Sequence, residues 1–182
     1  MPHEKVALPD IGPQGEPRID PKPGVPGKFN GIMAWRPDLM EAFFTFYARL
    51  WTDGVLPMRV KDLARMKIAR TVGCRICQNT RFKLAEGHTV EDDYLAIDAI
   101  DEGSYTDAEK AALRYVEAFC LHPEHVTDEM VADLRRHFDE PQIVELSILV
   151  ATVGGFAGIN AALNIAPDDE ELQVFDFADP VA

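Results

Sequence analysis

The stretch from Ile143 to Ile165 constrains this chain most, because Ile143, Val144, Leu146, Ile148, Leu149, Val150 and Val153 make a helix that is apolar on most sides. Such a helix has to be buried, in a bilayer or in a protein interior. Glu145, Asn160 and the small residues Ser147, Gly154, Gly155 and Gly158 interrupt it, and no Lys or Arg immediately flanks it, so a core helix is a better reading than a membrane span. It is expected from about Glu140 to Ile165, running through the core. Ala151, Gly154, Gly155, Ala157, Gly158, Ala161 and Ala162 would let another backbone approach closely.

The rest of the chain is punctuated as helices. Pro37-Asp38 opens a run whose apolar positions Leu39, Phe43, Phe46, Tyr47 and Leu50 follow helical spacing. Pro57 opens a second, carried by Val60, Leu63, Met66, Ile68 and Val72 as far as Gly73. A third segment is expected from Cys74 to Glu86, stopping at Gly87. Thr89 with Asp92 and Thr106 with Glu109 resemble capping boxes, and Thr127 precedes Asp128 and Glu129, which suit the positive end of a helix dipole. With no alternating strand pattern and no internal repeat, the fold class is all-α.

Two flanking segments differ from this helical domain of residues 31–166. Residues 1–30 hold 7 of the 13 prolines and 4 of the 12 glycines, which blocks helix and leaves an extended arm. Leu8, Ile11, Ile19 and Val25 give the arm apolar pegs with which to lie on a neighbouring subunit. Residues 167–182 read as an acidic, peripheral tail.

The 182 residues carry a net charge of -13, which repels polyanions and excludes nucleic acid as the main partner. Three cysteines make no disulfide framework, and Met1 to Val6 lacks the apolar run of a secretory signal, so the expected location is cytoplasmic, with thiols that start reduced. The charge is also segregated. Residues 31–85 hold 10 basic against 4 acidic groups, and residues 86–182 hold 4 against 23.

The basic half contains the one chemically suggestive motif, Cys74-Arg75-Ile76-Cys77. It follows a glycine at the expected opening of a helix, where backbone N–H groups favour a thiolate. The helix dipole contributes about 0.3 to 1 kcal/mol, whereas a guanidinium ~5 Å from a thiolate contributes up to about 3 kcal/mol at an effective dielectric near 20. A nearby arginine therefore matters more, and Arg81, four residues beyond Cys77 on the same expected helix face, is better aimed than Arg75. Zinc is an alternative, with His88 or with His122 and His125 completing a site, but the spacing is poor and no second CxxC exists. Cys120, beside Val116, Phe119 and Leu121, reads as core.

The stretch from Leu56 to Arg65, through Gly73 to Cys77 and on to Glu86-Gly87-His88-Thr89, resembles the carboxymuconolactone decarboxylase and AhpD-type alkylhydroperoxidase superfamily, and Gly155 to Leu163 resembles its final core helix. The resemblance covers about residues 37–166. It implies an AhpD-like helical bundle that assembles into homo-oligomers and, in the CxxC branch, a thiol peroxidase or disulfide reductase. Such an enzyme needs no bound cofactor or metal; it takes a small-molecule hydroperoxide and is re-reduced by an external dithiol or lipoyl-type partner. The family pattern places a glutamate twelve residues before the first cysteine and a histidine four after the second, as a proton relay. Cys74 and Cys77 match, but those two positions are Asp62 and Arg81. Aspartate can still exchange a proton; arginine stays protonated, so Arg81 would stabilise a thiolate or pair with Asp62. By the same analogy Cys77 attacks and Cys74 is the more accessible exchange partner, whereas the helix dipole alone favours Cys74 as the attacking thiol. Alternatives are a lactone decarboxylase and a non-enzymatic oligomeric protein with a structural or sensory thiol pair.

Overall fold

The structure, a computed structural model, describes residues 15–169 and 171–178. Eight α-helices make up most of it: α1 Lys28–Met33, α2 Pro37–Thr52, α3 Met58–Thr71, α4 Arg75–Asn79, α5 Glu91–Leu95, α6 Asp107–Leu121, α7 Asp128–Leu134 and α8 Glu140–Ala162. The local signals explain their starts. Pro37 stands in the first turn of α2, Thr106 and Glu109 cap α6 reciprocally, and the hydroxyl of Thr127 accepts from Met130 N at the start of α7. Asp139 does the same for α8, accepting from Gln142 N at 2.9 Å.

The centre of the molecule is α3, which packs against α6 and α8. Every residue from Val60 to Arg70 is buried, although Lys61, Asp62, Arg65, Lys67 and Arg70 are charged. Carboxylates from other elements make this possible. Lys61 meets Glu145 of α8 at 2.6 Å, Lys67 meets Glu117 of α6 at 2.7 Å, and Arg70 pairs with Asp98. The basic and acidic halves of the sequence thus pack on one another.

The apolar helix α8 is less enclosed than expected. Leu146, Leu149, Val150, Val153 and Ala157 enter the core, whereas Val144, Ile148 and Ile159 remain exposed, because too few helices surround it to cover its whole circumference. A Cβ added at Gly155 or Gly158 would meet nothing within 4 Å among the described residues, so none of their backbone packs closely there. Among the described residues α8 is the one helix long and apolar enough to cross a membrane, and its inner face is committed to the core.

Two further expectations are corrected. The segment from Cys74 to Glu86 is not one helix: α4 ends at Asn79, Thr80–Phe82 is a strand, β1, and Lys83–Ala85 is a 3-10 turn. The tail is not peripheral, since Gln173–Phe175 forms β2 and pairs in parallel with β1, Thr80 opposite Gln173 and Phe82 opposite Phe175. Phe175 and Phe177 then pack on Phe82, at ring separations of 5.7 and 5.2 Å. Local sequence predicts neither strand because each exists only through its partner, about ninety residues away. The described part of the arm also hydrogen-bonds to its own chain. Arg18 N donates to Leu163 O at 2.9 Å and the Asn164 side chain donates to Glu16 O at 2.7 Å. Ile19 is exposed and Val25 half-buried, while Leu8 and Ile11 fall outside the described residues.

Candidate functional site

At the end of α3 the chain reverses through Gly73, whose φ of 70° a side chain would oppose, and Cys74 N returns to Ala69 O at 2.9 Å. This places Cys74 as the cap of α4, with Cys77 N donating to its sulfur at 3.2 Å. Cys74 and Cys77 are joined as a disulfide. Cys74 is fully buried, while Cys77 is partly exposed and lines a cavity. Cys74 is therefore not the more accessible of the two, because α3 and α8 cover it. The Asn160 side chain of α8 also reaches it, its Nδ2 lying 3.6 Å from Cys74 Sγ.

The arginine beside the cysteine pair is Arg65. Its Nη1 donates to Cys77 O at 2.8 Å, its Nε donates to Asp62 at 2.8 Å, and its guanidinium lies 4.7 Å from the centre of the Phe82 ring. Arg81 does not point at the cysteines. A strand rather than a helix carries it, and it forms a two-pronged pair with Glu91 at 2.6 and 2.7 Å while stacking 4.6 Å over the Tyr94 ring. Nor does it pair with Asp62, whose partners are Arg65, Tyr94 and Thr89.

Asp62 is wholly enclosed. The Thr89 hydroxyl donates to Oδ2 at 2.7 Å and the Tyr94 hydroxyl donates to the same oxygen. Burial opposes its charge, but the Arg65 guanidinium and the hydrogen bonds from Tyr94, Thr89 and Arg65 outweigh this and hold the carboxyl below its usual range. Burial likewise opposes the charge on Arg65, and Asp62 overcomes it and raises that group. Tyr94 is raised by burial and by the adjacent Asp62. Asp62 thus stays ionised with its acceptor sites filled, which suits holding Arg65 in place better than carrying a proton.

Thr89, Tyr94, Arg65 and Asn160 were not singled out in the sequence as site residues. Thr89 looks like a helix cap, but the helix starts one residue later, Val90 N donating to Asp93 at 2.9 Å, which frees the Thr89 hydroxyl for Asp62. Arg65 carried a usable signal, an i,i+3 relation to Asp62 on one helix.

The cavity beside Cys77 has a volume of about 400 Å³. Phe43 and Phe156, stacked at 4.1 Å, form part of its wall with Phe44, Tyr47 and Phe82, and Phe175 of the tail lines it from β2. Asp168 and Asp169 also line it and are exposed. Cys120 stands apart as a free thiol, pushed up to about 11 by burial, with Lys67 opposing. The histidines of the zinc alternative gather elsewhere: His122, Glu124 and His125 bring ligand atoms within 4.8 Å on an exposed turn, a group that includes neither cysteine.

A mostly helical domain with a CxxC disulfide, half of it buried, at the head of a short helix and an aromatic cavity beside it defines a class of thiol-bearing bundle. Residues 37–118 match the carboxymuconolactone decarboxylase family, and structures of AhpD-like proteins share the fold. The uncharacterized protein YnjA of Escherichia coli strain K12 is 32% identical over 108 residues, 58% of this chain and 59% of YnjA. The chain therefore spans about three-fifths of that relative's length. Among solved structures, the AhpD core of an uncharacterized peroxidase-related protein from Ralstonia eutropha JMP134 superposes with a TM-score of 0.64 at 18% identity, covering 78% of this chain and 77% of that one. The debrominase Bmp8 superposes with a TM-score of 0.63 at 24% identity, covering 78% of each chain.

Proposed function

We propose that the chain is a thiol-dependent oxidoreductase, an alkylhydroperoxidase-like peroxidase or disulfide reductase working through Cys74 and Cys77. The observation that carries this reading is the disulfide between them, one sulfur sealed in the core and the other residue lining an apolar cavity. In the reduced protein the Cys77 thiolate attacks the terminal oxygen of a hydroperoxide ROOH. An S–O bond forms, the O–O bond breaks, and the leaving alkoxide takes up the proton that the thiol had released. The Cys74 thiol then attacks the sulfenic acid, forming the S–S bond and releasing water. Two electrons and two protons from an external dithiol or lipoyl-type partner return the disulfide to the dithiol. No bound cofactor enters this cycle.

Arg65, rather than Arg81, supplies the positive charge. A guanidinium already bonded to the Cys77 carbonyl stabilises a thiolate on the same residue. The protein works in a reducing, cytoplasmic setting as a homo-oligomer whose subunits cover Val144, Ile148 and Ile159. The test is dithiol-driven consumption of cumene hydroperoxide by the parent and by Cys74→Ser and Cys77→Ser. Turnover that survives either substitution refutes the mechanism.

The aromatic wall favours one second reading, thiol-driven removal of halogen from an aromatic ring; the neighbour Bmp8 is a debrominase, seen also in complex with 2,3,4-tribromopyrrole. There Ar–Br and two thiols would give Ar–H, a disulfide and HBr. Bromide release from a bromopyrrole, with hydroperoxide left untouched, would favour it over the first.

A further inference from the structure

Two residues that line the cavity each carry a buried polar atom without a hydrogen-bond partner: Arg65 its Nη2, a donor, and Asn160 its Oδ1, an acceptor. Arg65 is 1% exposed and Asn160 2% exposed, and both side chains line the cavity beside Cys77. Native interiors rarely leave such groups unmatched, because each forfeits the hydrogen bonds it makes in water. Both side chains also touch the cysteine pair, Arg65 through the Cys77 carbonyl and Asn160 through the Cys74 sulfur. One unmatched donor and one unmatched acceptor call for a ligand group that is itself acceptor and donor, and a hydroxyl is the smallest group that is both.

The remaining walls describe the rest of the ligand. A cavity of about 400 Å³ with Phe43, Phe44, Phe156 and Phe175 on its walls is sized for a ring-bearing body, many times larger than hydrogen peroxide requires. Its charge is unfavourable to anions. The positive charge of Arg65 is already matched by Asp62, and Asp168 and Asp169 add only negative groups to the lining.

We propose that this cavity is a specificity pocket for an uncharged, ring-sized organic molecule ending in an O–H group, whose oxygen accepts from Arg65 Nη2 and whose hydrogen is accepted by Asn160 Oδ1. For the hydroperoxide chemistry, which rests on the function proposed above, Arg65 is a catalytic residue that donates to the terminal oxygen as the Cys77 sulfur attacks it and the inner oxygen leaves as alkoxide. Asn160 orients the terminal O–H toward Cys77. Hydroperoxides that carry a carboxylate are rejected.

Binding separates the pocket from the chemistry. The full-length oxidised protein is titrated, with ligand-observed NMR as readout, against three inert probes: 2-phenyl-2-propanol, isopropylbenzene and 4-(2-hydroxypropan-2-yl)benzoate. The alcohol should bind about tenfold or more tightly than the hydrocarbon, since one of its two hydrogen bonds comes from a charged donor, and about tenfold or more tightly than the carboxylate. Arg65→Lys, which keeps the charge beside Asp62, and Asn160→Ala should each weaken the alcohol about five- to tenfold and leave the hydrocarbon unchanged. Equal binding of alcohol and hydrocarbon, equal binding of alcohol and carboxylate, no binding of the alcohol, or equal weakening of alcohol and hydrocarbon in the variants overturns the proposal. If the alcohol binds as described while no hydroperoxide is consumed with dithiol, the pocket stands and the peroxidase reading falls. If hydroperoxides are consumed with no preference for the uncharged aromatic one and the alcohol does not bind, the reverse holds.

Discussion

Asp62→Asn should be the most informative single substitution. Its carboxylate is 0% exposed and takes hydrogen bonds from Arg65, Thr89 and Tyr94, so the amide would leave the buried Arg65 guanidinium without its counter-charge. Removing one member of a buried ion pair costs about 3 to 5 kcal/mol, a large share of the roughly 5 to 15 kcal/mol that holds a domain together. With a urea m-value of about 2 kcal/mol per molar, the denaturation midpoint should fall by about 2 M. Replacing both charges, as Asp62→Leu with Arg65→Met, should cost less than the single change, because no buried charge is then left uncompensated although Thr89, Tyr94 and the Cys77 carbonyl each lose a hydrogen bond.

The pH dependence has a definite sign. The folded Asp62 titrates below its usual range, opposed by burial but held there by Arg65 and its other donors. Its stabilising contribution is therefore complete above the unfolded value of about 3.9 and is lost as pH falls through the lower folded value. The parent should weaken steeply in that acidic window, and the double apolar variant should lack this component. A loss under about 1 kcal/mol for Asp62→Asn, or a double variant as unstable as the single one, would refute the sealed pair. A fully stable Asp62→Asn that loses one limb of the pH–rate profile for peroxide consumption would instead make Asp62 a proton carrier.

Mass mapping after mild oxidation should show Cys74 joined to Cys77 and Cys120 still a thiol, and Cys120, pushed up to about 11, should alkylate slowly near neutral pH. Arg81→Ala should cost about 1 kcal/mol by removing the partly buried pair with Glu91 and the stacking on Tyr94, while leaving the alkylation profile of the CxxC thiols unchanged. A raised thiol pKa in that variant would restore Arg81 to the site. Val144→Glu with Ile148→Glu, on the exposed face of α8, should reduce the particle mass in light scattering without unfolding the chain; an unchanged mass would place the subunit contacts elsewhere.

What was legible in the sequence follows the range of the forces involved. Pro37, Thr106 with Glu109 and Thr127 act within one turn, and the helices they open stand where the residues place them. The CxxC pair is likewise local, and its residues meet as expected from a spacing of three. Arg81 was misplaced because its address depends on a strand that exists only through pairing with Gln173–Phe175. The tail looked peripheral for the same reason, since its acidic residues conceal Phe175 and Phe177, which belong to the aromatic core around Phe82.

The deepest divergence concerns which helix is central. Hydrophobic pattern pointed to α8, yet α3, with five charged residues between Lys61 and Arg70, is buried along that whole length. Burying a cation costs several kcal/mol unless a carboxylate accompanies it, so this position is open to α3 only because Asp62, Glu145, Glu117 and Asp98 lie where they do. The uneven charge along the sequence is the trace of that arrangement: the basic half supplies the central helix and the acidic half much of its neutralising shell. Three of the four pairs tie α3 to other elements. The fourth, Asp62 with Arg65, closes within α3 and carries the guanidinium to Cys77, where Nη2 is left without a partner at the cavity. The same ion-pairing that permits a charged helix at the centre thereby holds a fixed positive group on the Cys77 carbonyl.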